Sequence, residues 1–322
     1  MQDQATGTRK RKTAGRAHEM NVDLIAVVVA VTDGKPCVLT IGQANALPSG
    51  PFELGHRSLQ SGLRAWVEQQ TGHPLGYIEQ LYTFADSDRI GIERQQRAIS
   101  ISYLALTREE HAGRSPQRRW RSWYDYFPWE DDRTGTPPVV QDVLEPRLLA
   151  WADSTGDAAT RRERRQRCAI AFGFDDRPWN EELTLQRYEL LYEAALVEEA
   201  TRGRRASQPS PLPGLSMIAD HRRILATGIA RLRSKIKYRP VVFELLPPVF
   251  TLLQLQRTVE ALAGRLVHKP NFRRLIEQQE LVEETGATTT DTGGRPAKLF
   301  RFRHAVLAER SVAGTKLPGA RA

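Results

Sequence analysis

The sequence has little of what would make a disulfide-stapled, metal-built or membrane-spanning protein. It holds two cysteines, Cys37 and Cys168, far apart and without metal-ligand spacing. Neither a disulfide framework nor a cysteine-based metal site is expected, and a reducing cytoplasm suits the chain. No run of about 18 apolar residues occurs, so no transmembrane helix is expected and no membrane partner. The chain does not open with the basic, apolar and small-residue regions of a secretory signal. Hydrophobic residues make up 40% of the 322 residues. That is modest, but enough for packed cores, and the length suggests two domains.

Positive charge is in excess, at +9 net, and it is unevenly placed. Residues 1–20 carry five basic and two acidic side chains, and residues 219–304 carry sixteen and eight. The long remainder is slightly negative. A basic C-terminal module on a near-neutral body points to a polyanionic partner for that module. Residues 1–20, with the cluster Arg9, Lys10, Arg11 and Lys12, lack periodicity and are expected to form a disordered basic tail. A flexible tail is expected at 306–322.

Between the tails the pattern alternates strands and helices. Residues 22–42 are two Val- and Ile-rich runs around Asp33 and Gly34, which predicts a hairpin. Residues 57–70 place Leu59, Leu63, Trp66 and Val67 at helical spacing, so Trp66 reads as a core residue. Residues 77–84 and 98–106 read as strands, the second with Ile99, Ile101, Tyr103 and Ala105 on one face. Residues 120–129 are densely aromatic and interleave with Arg118, Arg119 and Arg121. Core or subunit packing is the stronger reading there, with base stacking the weaker. Helices are expected over 139–153, 161–172 and 180–200, the last capped by Asn180. The Gly-, Pro- and Ser-rich residues 201–217 read as a linker.

The stretch 47–72 holds a frame whose acids are missing. Leu47, Pro48, Ser49 and Gly50 open it, Gly55 follows, and Thr71 and Gly72 close it. This resembles a Nudix box, whose motif runs Gly, five residues, Glu, seven residues, Arg-Glu, an aliphatic residue, any residue, Glu-Glu, any residue, Gly. Aligned back from Gly72, the three helix glutamates fall on Trp66, Gln69 and Gln70, the arginine on Ala65 and the earlier glutamate on Arg57. Aligned from Gly50, Arg64 and Glu68 are recovered, but Ala65 and Gln69 stand at acid positions and His56 at the first. Nudix hydrolysis needs carboxylates crowded on one helix face to hold hard divalent cations, which neutralise the diphosphate and position water. A Nudix-like α/β/α sandwich with a degenerate box is therefore expected, with no catalytic residue, no metal site and no enzyme activity.

A second module is expected at 218–305, after a Nudix-like effector-sensing domain at 21–200 with a helical and aromatic extension over 112–200. Residues 219–237 have Ile224, Leu225, Ile229, Leu232 and Ile236 on one side of a helix. Residues 240–247 read as short and extended. Thr251 and Gln254 have capping-box spacing, and Gly264 can close the helix they start. A further helix follows, with Pro270 in its first turn, Phe272, Leu275 and Ile276 facing the core, and Asn271, Arg273, Arg274 and Gln278 facing out. Leu299, Phe300 and Phe302 with Lys298, Arg301 and Arg303 complete a hairpin. A helix-turn-helix followed by a hairpin is a winged helix. Arg pairs with guanine and Asn with adenine, so Asn271, Arg273 and Arg274 are candidate base readers. Lys269, Arg295, Lys298, Arg301 and Arg303 are candidate phosphate holders.

Three sets of residues narrow the resemblance. They are Leu81, Tyr82, Thr83 and Phe84 with Asp86, Asp88 and Arg89; Tyr103 to Leu106; and, in the C-terminal part, 229–238, 243–247, 250–252, Asn271 to Arg274 and 294–302. Together they resemble the Nudix-related transcriptional regulators of NAD metabolism, the NrtR family, and most nearly its alphaproteobacterial NadQ-type members. The resemblance covers roughly 22–106 and 219–304. The missing acids and the long 112–200 region depart from it. It implies a cytoplasmic, homodimeric repressor of NAD biosynthesis or salvage genes that reads a palindromic operator on double-stranded DNA. It implies no cofactor but a nucleotide effector (ADP-ribose, NAD or ATP), with Arg57, Tyr82, Phe84, Asp86 and Arg89 near the cleft. A hinge in the linker would relay the effector to the DNA-binding module. The alternatives are an active Nudix hydrolase of ADP-ribose- or NADH-type substrates fused to a DNA-binding domain, and an adaptor that does not bind DNA.

Overall fold

The computed structural model describes residues 21–76, 78–85, 98–108, 119–202, 212–238, 241–290 and 296–303. The expected tails lie outside these residues. Strands β1 (Asn21–Thr32) and β2 (Lys35–Thr40) form the expected hairpin. Asp33 and Gly34 have φ of 51° and 70°, the left-handed pair that a two-residue turn needs to match strand twist. Four more strands join them: β3 (Ser49–Pro51), β4 (Ile78–Phe84), β5 (Ala98–Leu106) and β6 (Arg119–Ser122). The order is β4-β5-β1-β2-β6, with β3 also on β1. β1 runs parallel to β5, and the other pairs are antiparallel.

The central strands are apolar on both faces, as a sheet covered on both sides requires. On one face Leu24, Ala26, Val28, Tyr103 and Ala105 meet Leu63 and Val67 of helix α1 (Leu59–Thr71). α1 begins at a capping box between Ser58 and Ser61 and ends on left-handed Gly72. On the other face Ile25, Val27, Val29, Leu104 and Leu106 belong to a larger cluster. Several helices build it: α2 (Glu145–Asp153), preceded by a π-turn over Val140–Leu144; α3 (Ala158–Phe172); α4 (Thr184–Glu193); and the short α5 (Glu198–Thr201). Asn180 caps as expected, accepting a hydrogen bond from the Glu182 N–H. The helix expected over 180–200 nevertheless breaks at Ala195, whose φ is 55°. There the Leu196 N–H turns back to the Leu191 carbonyl and buries Leu196 and Val197.

Helix α6 (His221–Tyr238) has the expected apolar side, with Ile224, Leu225, Ile229 and Leu232 fully buried. The sequence groups this helix with the C-terminal module, yet it packs on the sheet. A Cβ on Gly228 would fall 2.9 Å from Val27 Cγ1, so the glycine is what lets helix and strand approach this closely. The expected linker is also tied down where described. The Leu212 N–H donates to Leu196 O, Leu215 N–H to Asp125 O, and Ile218 N–H to Asn45 O. The segment 212–218 is therefore stitched to the body, and the hinge expected across 201–215 has no free span among its described residues.

The C-terminal module follows α6. Residues 240–247, expected to be extended, instead form a 3-10 turn over Val241–Leu245. Phe243 needs that turn to reach Phe302, at 3.9 Å between ring centroids. Helix α7 (Leu252–Ala263) has the expected capping box of Thr251 and Gln254 and ends on left-handed Gly264. Helix α8 (Lys269–Gln278) and strands β7 (Val282–Thr289) and β8 (Ala297–Phe302) complete a winged helix. Phe250 bridges to Phe300 and packs on Phe302.

Candidate DNA interface

The aromatic run at 120–129 packs as core. Trp123, Tyr126, Phe127 and Trp129 are fully buried. In their midst lies Glu130, also fully buried. Its carboxylate accepts from Arg187 Nε at 2.6 Å, from Arg233 Nη1 and from Thr184 Oγ1 at 3.0 Å. Burial alone would raise its pKa, but the two guanidiniums outweigh burial and hold it below the usual carboxylate range. Arg233 also donates through Nε to Leu262 O at 2.9 Å and through Nη2 to Glu130 O at 3.0 Å. Tyr124 Oη donates to Ala261 O at 2.7 Å, and Asp132 N–H to Gly264 O at 2.6 Å. The carbonyls that α7 leaves unpaired at its C-terminus are thus satisfied by the body. The winged helix and the body share one hydrophobic cluster, which runs from Val27 through Trp123 to Phe272 and Phe302.

This junction sets the direction of α8. Phe272 and Ile276 point into the cluster. Asn271, Arg273, Arg274 and Gln278 are exposed, as expected. Leu275, expected in the core, is 46% exposed, because two buried residues one turn apart already fill the narrow contact of this short helix. Lys269 is exposed at the helix start. Lys269, Arg273 and Arg274 form no ion pair with any described residue. The wing cations do. Lys298 pairs with Glu284 at 2.8 Å, Arg301 with Glu283 at 2.6 Å and Arg303 with Glu280 at 2.9 Å. Such exposed pairs are worth about 0–1 kcal/mol, so exchange for a phosphate is cheap. Arg295 lies outside the described residues.

In the body, the positions of the Nudix glutamates are occupied by the chain's own side chains. Gln70 Oε1 accepts from Ser49 N–H at 3.1 Å, and its Nε2 donates to Ser49 O at 2.7 Å. Trp66 is half-buried, not core. Its ring lies flat enough on Gly50 to leave no space for a Cβ there, and its Nε1 donates to Pro51 O at 2.9 Å. His56, at an acid position in the register set from Gly50, stands edge-on to Trp66 at 6.2 Å and stacks on Phe52 at 5.9 Å. Arg64 turns away to the carbonyls of Leu75 and Gly76. Glutamine and tryptophan at these positions staple β3 to α1. Among the described residues no group of three or more acids, histidines or cysteines is placed to hold a metal ion.

Of the expected effector residues that are described, Tyr82 and Phe84 meet edge to face at 5.1 Å between ring centroids, and Arg57 lies apart from them. Phe84 is a core residue under α6, with Arg223 over its ring at 4.9 Å. Arg57 is exposed beside the start of α1, on the opposite side of the sheet. Tyr82 is 59% exposed on β4, and Asp86 and Arg89 lie outside the described residues. A cleft of about 1000 Å³ that sequence reasoning missed separates the β1–β2 turn from α7. Asp33, Arg108, Asp131, Arg133, Arg257 and Glu260 line it. Its formal charges balance, and no sequence motif spans its scattered walls.

Residues 242–302 match the family described as the NrtR DNA-binding winged helix domain, so this module is an NrtR-type winged helix. The chain is also similar to the ADPR responsive transcriptional repressor NtrR of Acinetobacter baylyi, 39% identical over 88 residues. That match spans 27% of this chain and about a third, 35%, of the relative's length. Among solved structures it is similar to Shewanella oneidensis NrtR complexed with a 27mer DNA, with a TM-score of 0.53 at 19% identity over 89% of this chain and 95% of that one. It is also similar to a MutT/nudix family protein from Enterococcus faecalis, with a TM-score of 0.51 at 14% identity over 91% and 90%. The fold is therefore a Nudix-like α/β body joined to a winged helix.

Proposed function

We propose that this chain, a Nudix-like body carrying an NrtR-type winged helix, is a homodimeric transcriptional repressor of NAD biosynthesis or salvage genes. The observation that carries the reading is the outer face of α8. Asn271, Arg273 and Arg274 stand exposed there, and the two arginines have no ion-pair partner among the described residues. Arginine can bind guanine bidentately and asparagine adenine in a major groove. Lys269 and the wing cations Arg295, Lys298, Arg301 and Arg303 would hold phosphates. Two copies related by a two-fold axis would read a palindromic site.

The body would sense a nucleotide of NAD metabolism in the cytoplasm. ADP-ribose is the first choice, since the Acinetobacter relative responds to it; NAD and ATP are the others. The body would not hydrolyse its ligand. Gln70 and Trp66 already bind the backbone at 49–51, and neither offers the charge a divalent cation needs. Ligand binding would therefore need no magnesium.

The test is binding of the purified chain to DNA upstream of NAD-synthesis genes, beside random duplex at one salt concentration, with ADP-ribose, NAD and ATP titrated in. Preferential binding that one nucleotide alters, with or without magnesium, is the expected result. Sequence-blind binding would overturn the regulator. Magnesium-dependent turnover of ADP-ribose, lost on changing Glu53 or Glu68, would restore the hydrolase.

A further inference from the structure

The ten residues of α8 sort into two sides. Phe272 and Ile276 are buried. At ~100° per residue, Asn271, Arg274, Leu275 and Gln278 follow at i, i+3, i+4 and i+7, the spacing of a single helix stripe. All four are exposed. Three of them carry hydrogen-bonding groups, and the fourth is a leucine, 46% exposed. Leucine adds nothing there that arginine, lysine or glutamine would not, since their helix propensities are nearly equal. The core beneath is supplied by its two neighbours. What leucine does add is one apolar point in a row of donors and acceptors.

The major groove has one apolar feature at its base edges, the 5-methyl group of thymine. We infer that Leu275 reads a thymine methyl in the operator, next to the bases met by Asn271 and Arg274. The inference rests on the regulator reading above and extends it from hydrogen-bonded readout to one apolar contact per half-site. It predicts a thymine in the operator that cannot be exchanged for cytosine, or for uracil.

The test uses the full chain and a duplex selected by it from a random pool at fixed salt. Each thymine of the selected site is replaced in turn by deoxyuridine, which removes only the methyl group. Affinities are measured for the parent chain, for Leu275→Ala and for Leu275→Gln; an exposed position lets both variants fold. For the parent, uracil at one position per half-site should weaken binding several-fold, up to about ten-fold. Both variants should lose a similar factor on the thymine site and no longer distinguish thymine from uracil. A parent indifferent to uracil everywhere would overturn the inference. So would variants that bind more weakly but keep the full thymine preference, as they would if Leu275 served packing against a second copy. Failure to select any sequence would instead overturn the regulator reading beneath it.

Discussion

Arg274 stands opposite the buried pair Phe272 and Ile276, at the middle of the exposed face of α8. If it reads a base, Arg274→Ala should cost roughly 1–3 kcal/mol on the preferred site and relax specificity there. Competition against random duplex checks this, since equal loss on both DNAs marks a phosphate contact. His221 gives a prediction at the other end of the chain's polarity. It is buried, and its Nδ1 accepts the Leu47 N–H at 2.9 Å. Burial pushes its pKa from the ordinary 6.5 down to about 4. The unfolded chain therefore takes up this proton first. Stability from this site is complete above about pH 6.5 and falls as the pH drops from there toward 4. His221→Asn keeps an acceptor without a titration in that range, so urea melts at pH 7 and pH 5 should differ less for the variant. Some of this was legible from residue type alone. Asn271, Arg273 and Arg274 are legible because a helical period keeps all three off the side on which Phe272 and Ile276 lie. Leu275 was misplaced because apolarity says only that a side chain can be buried, not that room exists to bury it.

Among the elements, the ends of helices were the most readable. Thr251 with Gln254, Asn180 and Gly264 cap as their types and spacing require. Local chemistry decides those positions. The break at Ala195 and the 3-10 turn over Val241–Leu245 answer instead to distant partners, Leu212 and Phe302, which no short window contains. Gly264 belongs to both kinds. Its φ of 73° suits a helix end, and a Cβ there would also strike the Glu130 carbonyl. Gly264→Ala should cost at least the ~1–3 kcal/mol of a left-handed alanine, measured by urea unfolding, with DNA affinity falling alongside. Glu130→Ala should cost more, about 3–5 kcal/mol, because it leaves Arg187 and Arg233 buried without their counter-charge. The Glu130 carboxyl is held below the ordinary range, so its contribution is present above that range. It is lost only as the pH falls through the depressed value. The expected effector residues rest on a family's pattern, of which this chain keeps the frame while Trp66 and Gln70 stand at acid positions.

The molecule as a whole has two modules by sequence pattern but one continuous core by packing. A chain ending at residue 240 should therefore expose the apolar surface of β1, β2 and α6 that α7 covers. It should self-associate in sedimentation, whereas a pair of independent domains would leave it monodisperse. For the same reason, an effector's influence on DNA would pass through the spacing of two copies more readily than through a bend within one. The buried carboxylate of Glu130 has a last consequence, for synthesis on the ribosome. Arg233, which together with Arg187 neutralises it, lies 103 residues further along the chain, and the carbonyl that Arg233 also binds, at Leu262, lies 29 beyond that. A nascent chain carries the acid for several seconds at ordinary elongation rates before the last of its partners leaves the exit tunnel. The contacts that seat α7 on the body are therefore completed only when nearly all of the chain has been made.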